Sequence, residues 1–317
     1  MGFIGKRLAT TILTLLLVSI VTFSAFRLIP GDAALLSLGT VATDEQIEAL
    51  RAEMDLDKSF ATQYFSWLAK FLSGRLGNSA RFRGASISAM ILERLPVTFS
   101  LAGISFVFII LIALPVSIVS VKKENSLLDR IVTSLVAINI SIPGFFLGVV
   151  FIWVFGILFK LFIPGSFTGY RESLSAFLVS LVFPALAIAL PNAALVVKFL
   201  RSSIFSEFHS DYARTARSKG GNRSHILRRH VLKNASLPAI TILGMIAGEI
   251  FSGSIIIEQV FGIPGIGRLL IASINSRDYL VIQTLVIYIA FAVILANTLA
   301  DIALQMIDPR IRLSEKV

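Results

Sequence analysis

The chain has 317 residues, of which 56% are hydrophobic and 15% charged, with a mean hydropathy of +0.84. Soluble domains carry about 25% charged residues, so this apolar excess is too large for one water-solvated globule and points to the bilayer as solvent. Cys is absent, which excludes disulfides and thiolate metal sites, and the net charge of +10 calls for a membrane-orientation or partner explanation.

A helix needs about 20 apolar residues to cross the hydrocarbon layer. Six stretches reach that length: 8–26, 97–121, 131–159, 173–197, 235–257 and 280–300. Only the fifth contains a charge, Glu249. The first follows Lys6 and Arg7 and resembles a signal peptide in that respect, but its core is long and no small-x-small cleavage site follows, so it reads as a retained span. The expected fold is an all-α membrane protein with six transmembrane helices and a small helical insertion between the first two.

Six spans put both termini on one side. The net positive charge gathers on that side, in Lys6, Arg7, Lys122, Lys123, Arg130, the 198–234 segment and the C-terminal tail. Basic loops stay in the cytoplasm, so both termini and 198–234 are expected there, and 30–94 outside. This bias explains the basic balance. No basic face interleaved with aromatics appears, which argues against a nucleic-acid partner.

The 30–94 insertion carries two amphipathic stretches. Ile47, Leu50 and Met54 recur on one helical face behind a cap at Thr43 or Asp44. Tyr64, Trp67, Leu68 and Phe71 share the face of a second helix. Further on, Pro143, Pro184 and Pro191 interrupt the third and fourth spans, which suits a bundle that bends or opens a path and equally fits the ordinary frequency of proline in membrane helices. Gly144-x-x-x-Gly148 and Gly244-x-x-x-Gly248 permit close helix approach.

Between the fourth and fifth spans, 198–234 predicts a helix–Gly–helix element. Ser210 or Asp211 can cap a helix through Lys219, Gly220-Gly221 can stop it, and Ser224 can cap a second helix through Asn234. Tyr212, Ala213 and Ala216 share one side of the first helix, and the two alanines would let a partner approach closely. The residues alone leave two readings open: a docking element for a cytoplasmic protein, or a helix lying on anionic lipid. Lys198 and Arg201 are expected to snorkel to inner head groups. The chain has no phosphate-cradling loop, no metalloprotease or nucleophile-elbow motif, and three histidines (His209, His225, His230) at spacings that fit no usual metal site, so it is not read as an enzyme.

Asp211-Tyr212-Ala213-Arg214-Thr215-Ala216-Arg217-Ser218-Lys219-Gly220, followed by Arg229-His230 and Leu237-Pro238, resembles the ATPase-docking loop of ABC-importer permeases, in the dipeptide/oligopeptide/nickel branch. Arg214-Thr215-Ala216 stand where the broader family has Glu-Ala-Ala, so no contact of that carboxylate carries over. The likeness extends along the chain: Arg27 to Asp32, Leu56-Asp57-Lys58, Gln63-Tyr64, Leu76 to Ser79, Glu93 to Pro96, Phe261 to Arg268, Arg277-Asp278-Tyr279 and Asp308 to Arg312.

The resemblance implies a permease subunit (1–317) that pairs with a second homologous permease, docks on two ATPase subunits through 198–234, and receives peptides or nickel chelates from an extracytoplasmic binding protein. ATP and Mg would sit on the ATPases, with no cofactor on this chain. Tyr212, Ala213, Arg214, Thr215, Ala216, Lys219, Gly220, Arg229 and His230 would couple to the ATPase. Glu249 in the fifth span, with Asn139 and Gln283, are candidate path residues, while a buried acid at the permease–permease interface is the competing reading of Glu249. A secondary carrier or channel would need its own ion path; one mid-membrane acid and no evident inverted repeat argue against it.

Overall fold

The computed structural model describes residues 3–28, 34–35, 43–53, 55–82 and 84–307. The resemblance residues at 29–32 and 308–312, and Met54, lie outside the described residues. Helices dominate, and an isolated bridge between Asn78 and Ser86 is the one β feature among the described residues. Among the described residues, five helices are long and apolar enough to cross a membrane, and six if one bent pair counts as a crossing.

Two compact units divide the chain, Met1–Phe99 with Ile263–Ile294, and Ser100–Gly262 with Leu295–Val317. In the first, α1 (Phe3–Arg27) is the N-terminal span. Helix α2 (Asp44–Glu53) opens on a reciprocal cap: Gln46 N–H donates to Thr43 Oγ1 (3.3 Å), and Thr43 N–H to Gln46 Oε1 (3.1 Å). Helix α3 (Phe60–Leu72) is capped by Ser59, and its predicted aromatic face is real. Tyr64 and Trp67 surround Phe23 of α1, and the Tyr64 hydroxyl lies 2.8 Å from Ser19 Oγ.

Helix α4 (Ile87–Lys122) starts ten residues before the expected position 97, so the end of the 30–94 stretch belongs to the same helix as the second span. Its first turns pack Ile87, Met90 and Ile91 against α12 (Ile266–Ser276) and the start of α13 (Tyr279–Ile307). Ser79 Oγ and Arg81 N–H both donate to Asp278 Oδ2, tying the insertion to the turn before α13.

In the second unit the expected third span is broken. Helix α5 (Leu127–Ser141) and α6 (Gly144–Phe151), extended by a π-helical segment Ile152–Leu158, meet at 103°. Pro143 has no N–H to continue the ladder and forces Ile142 into extended backbone (φ −93°, ψ 124°). The fourth span is shifted along the chain. A short α7 (Leu174–Ser180) precedes α8 (Val182–Phe208), which places Pro184 in the first turn, where no hydrogen bond is lost, and runs beyond Lys198 and Arg201. The 198–234 segment is therefore less of a loop than its charges suggested.

Both Gly-x-x-x-Gly pairs sit at close approaches. A Cβ on Gly144 would meet the Ala187 carbonyl at 3.1 Å, one on Gly148 the Phe261 ring at 3.1 Å, and one on Gly244 the Ala300 Cβ at 2.9 Å.

Candidate functional site

The 198–234 segment folds as a helical elbow. Helix α8 ends at Phe208, and α9 (Asp211–Ser218) follows two residues later. Ser210 occupies the N-cap position, but its hydroxyl donates back to Glu207 O (2.6 Å) instead of capping α9. At the other end Gly220 takes φ +84°, Gly220 N–H donates to Arg217 O (3.0 Å) and Gly221 N–H to Ala216 O (3.1 Å). This paired closure needs a left-handed residue, which glycine adopts without a Cβ clash.

The second helix departs from expectation. Asn222, not Ser224, caps α10 (Arg223–Ile226), its Oδ1 accepting from His225 N–H at 2.8 Å. Helix α10 then runs through a π-helical turn, Leu227–Val231, into α11 (Leu232–Phe261). The second arm of the elbow is therefore continuous with the fifth span.

The elbow has an inner and an outer face. Ala213, Ile226, Leu227 and Val231 are buried within the chain. Ala213 has no exposed surface, so its small side chain serves the packing of α9 on its own chain and not the approach of a partner; Ala216 is half-buried. A Cβ on Gly221 would meet Ala216 O at 2.9 Å and the Ile226 side chain, so the turn is pressed onto α10. Outward stand Tyr212, Arg214, Thr215, Lys219, Gly220, Arg229 and His230, all exposed. Tyr212 donates to Glu207 Oε2 (2.5 Å), and its phenol pKa is raised by partial burial and by that carboxylate.

Two arginines join the elbow to its surroundings. Arg223 donates to Glu124 Oε2 (2.5 Å) and Val121 O (3.2 Å), beyond and at the end of α4, and stacks over Phe208 at 5.5 Å. Arg201 of α8 donates to Ser120 Oγ (2.9 Å) and to both oxygens of Asp129 (3.2 and 3.0 Å), and stacks over Phe205 at 4.9 Å. Arg201 is therefore paired inside the protein and does not snorkel to head groups, as its position near the end of a span had suggested. Sequence reasoning missed both clusters. Their carboxylates, Asp129 and Glu124, stand far from them in the chain, and no local pattern pairs them.

The candidate path residues separate. Asn139 in α5 donates to the Leu135 carbonyl (2.9 Å), and Glu249 is exposed on α11 beside buried Gly248. Gln283 is buried in the first unit and lines a cavity there. Among the described residues, no three His, Asp or Glu side chains gather as metal ligands.

Residues 113–313 match the family described as binding-protein-dependent transport system inner membrane component, and residues 1–102 match its N-terminal membrane component. The chain belongs to this permease family. Over 311 residues the permease is 34% identical to a putative peptide transport system permease protein of Brucella abortus, covering 98% of this chain and 99% of the other. It is 31% identical over 310 residues to a probable peptide ABC transporter permease of Sinorhizobium fredii, with 98% and 99% coverage. It is likewise 31% identical over 312 residues to the oligopeptide transport system permease AppB of Bacillus subtilis, with 98% and 99% coverage. The permease is a multi-pass inner-membrane component of a binding-protein-dependent transport system.

Proposed function

We propose that this permease forms half of the translocation path of an ATP-driven importer for short peptides. The observation that carries this reading is end-to-end likeness to proteins named as peptide permeases, 34% identical over 98% of the chain. Nothing observed favours nickel chelates. In this reading the bent pair α5–α6 counts as one crossing, both termini and 198–234 are cytoplasmic, and 30–94 is extracytoplasmic, as the distribution of Lys and Arg supports. A second, homologous permease completes the path, with Glu249 and Asn139 facing it. Buried Gln283 is left out of it.

An extracytoplasmic binding protein supplies the peptide, and two ATPase subunits carry ATP and Mg. The outer face of the elbow, Tyr212, Arg214, Thr215, Lys219, Gly220, Arg229 and His230, receives the ATPase. Ala213 and Ala216 hold α9 against the chain so that the elbow moves as one piece. Nucleotide-driven motion then passes along α11 and, through Arg223 and Arg201, to α4, α5 and α8.

The test is reconstitution of the permease pair with its ATPases and binding protein in nanodiscs. Peptide-loaded binding protein should stimulate ATP hydrolysis, and scrambling residues 212–220 should abolish ATPase copurification. Peptide movement in vesicles lacking the ATPases would overturn the reading.

A further inference from the structure

A cavity of about 350 Å³ opens in the first unit between α1, α3 and the start of α13, at the lower end of the size range of small-molecule sites, about 300–1,000 Å³. Its depth in the bilayer follows from the chain. Arg27 is the last residue of α1 and Tyr279 the first of α13, and both line the cavity, which therefore lies where spans end and head groups begin. Phe26, Trp67, Phe71, Tyr279 and Leu280 form its apolar wall, with Phe26 against Tyr279 at 5.8 Å and Trp67 against Phe71 at 6.0 Å. Aromatic rings of this kind collect at the head-group level of membrane proteins.

The polar lining is unbalanced. Three cations, Arg27, Lys70 and Arg75, face one carboxylate, Asp55. That carboxylate is already engaged by Lys58 (2.6 Å), Ser66 (2.6 Å) and Lys70 (3.1 Å). Neither Arg27 nor Arg75 has a carboxylate partner among the described residues. Gln63 adds an independent sign of a ligand. It is 6% exposed, and its Nε2 donates to Lys58 O at 2.6 Å, which fixes the amide orientation. Its Oε1 is buried and receives no hydrogen bond among the described residues, and Gln63 is one of the residues that line the cavity. An acceptor buried in this way is costly unless a donor meets it.

We infer that this cavity binds the head group of an anionic, hydroxyl-bearing glycerophospholipid of the phosphatidylglycerol type: Arg27 and Arg75 take the phosphate, a glycerol hydroxyl donates to Gln63 Oε1, and the acyl chain lies along the aromatic wall. Guanidinium groups match phosphate oxygens in pairs. A peptide fits less well, because its ammonium would meet three cations and a carboxylate already saturated. The site goes beyond the transport reading and uses it only to assign the outer leaflet.

Trp67 reports on the site directly. The chain has two tryptophans, and Trp153→Phe leaves Trp67 alone. In the complete transporter, with the signal of a Trp67→Phe/Trp153→Phe sample subtracted to isolate Trp67, phosphatidylglycerol with brominated acyl chains should quench it at about tenfold lower mole fraction than brominated phosphatidylcholine, equivalent to about 1.4 kcal/mol. Arg27→Gln/Arg75→Gln should bring that ratio close to one, and Arg75→Gln alone, at an exposed position, should lower it part of the way. Equal quenching by the two lipids in the unaltered site, or a preference that survives both substitutions, overturns the inference. So does relief of quenching by excess glycerol phosphate, inorganic phosphate or a dipeptide, each of which would assign the cavity to a soluble ligand. Peptide-stimulated ATP hydrolysis, followed in the same samples, shows whether the transport reading stands independently.

Discussion

Arg201 meets Asp129 at two points, Nε 3.2 Å from Oδ1 and Nη2 3.0 Å from Oδ2, and so joins α8 to the first turn of α5. Ser120 of α4 completes the cluster, donating to Asp129 Oδ1 at 2.5 Å. Three helices thus share one carboxylate that is 5% exposed. Removing one member of a buried pair leaves the other charge without compensation, whereas replacing both can be nearly neutral. Asp129→Ala should destabilise the purified permease by about 2–3 kcal/mol, below the range for fully buried pairs because Arg201 keeps 28% exposure. Asp129→Leu/Arg201→Leu should recover most of that loss in detergent melting curves. Equal loss in the single and double variants would show that packing, not charge, holds this junction.

The outer face of the elbow can be altered without disturbing the fold. The Arg214 side chain is 74% exposed, and its pairing with Asp211 at 3.5 Å joins two solvated groups, an arrangement worth about 0–1 kcal/mol. Arg214→Glu with Lys219→Glu should therefore leave the melting temperature unchanged and weaken ATPase binding about tenfold at low salt, with the difference shrinking as ionic strength rises. Titration of labelled ATPase into nanodisc-embedded permease measures this. Unchanged affinity would move the docking face elsewhere.

How much of this was legible depended on whether a residue's partners lay near it in sequence. The spans were readable from apolar length, the Thr43 cap and the Gly220 stop from local chemistry, and the face of α3 from the spacing of Tyr64, Trp67 and Phe71. The kink at Pro143 was signalled as a break, but its 103° angle was not, because the missing N–H fixes where a ladder ends and packing fixes the direction. Arg201 and Arg223 were hidden for the opposite reason. Their partners Asp129 and Glu124 stand 72 and 99 residues away, and a basic residue near the end of a span looks the same in sequence whether it reaches lipid or a carboxylate. The buried Ala213 was misread because a small residue permits close approach from either side.

Asp55 gives the insertion an acid limit. Lys58 and Ser66, then Lys70, hold its carboxyl well below the usual carboxylate range. A depressed native pKa means that the unfolded segment binds the proton first, so the contribution is complete above about pH 4, the unfolded value, and is lost as pH falls below it. Hydrogen exchange over residues 55–72 should be protected equally at pH 7 and pH 5, once intrinsic rates are corrected, and should quicken only in stronger acid. Asp55→Asn keeps the shape and tolerates the left-handed backbone at φ 54°, yet should raise exchange at neutral pH and abolish the acid dependence. A mutant profile that still follows pH as the parent does would assign the titration to another group.

Glycines in the spans separate packing from propensity. Gly103 in α4 has open space where a Cβ would stand, so Gly103→Ala should be neutral or stabilise by up to about 1 kcal/mol, the difference in helix propensity. Gly244 in α11 faces the Ala300 Cβ of α13, and an added Cβ would come within 2.9 Å of it. Neither methyl can rotate away, so the helices themselves must part. Overpacking of this kind costs about 1–3 kcal/mol. Gly248, one turn along, would meet the Asn297 side chain, which can turn aside, so Gly248→Ala should cost less than Gly244→Ala despite the closer encounter. The order of melting temperatures, Gly103→Ala highest, then Gly248→Ala, then Gly244→Ala, tests whether α11 and α13 are held by backbone proximity. If Gly244→Ala melts with the parent protein, the two helices are free to separate at that level.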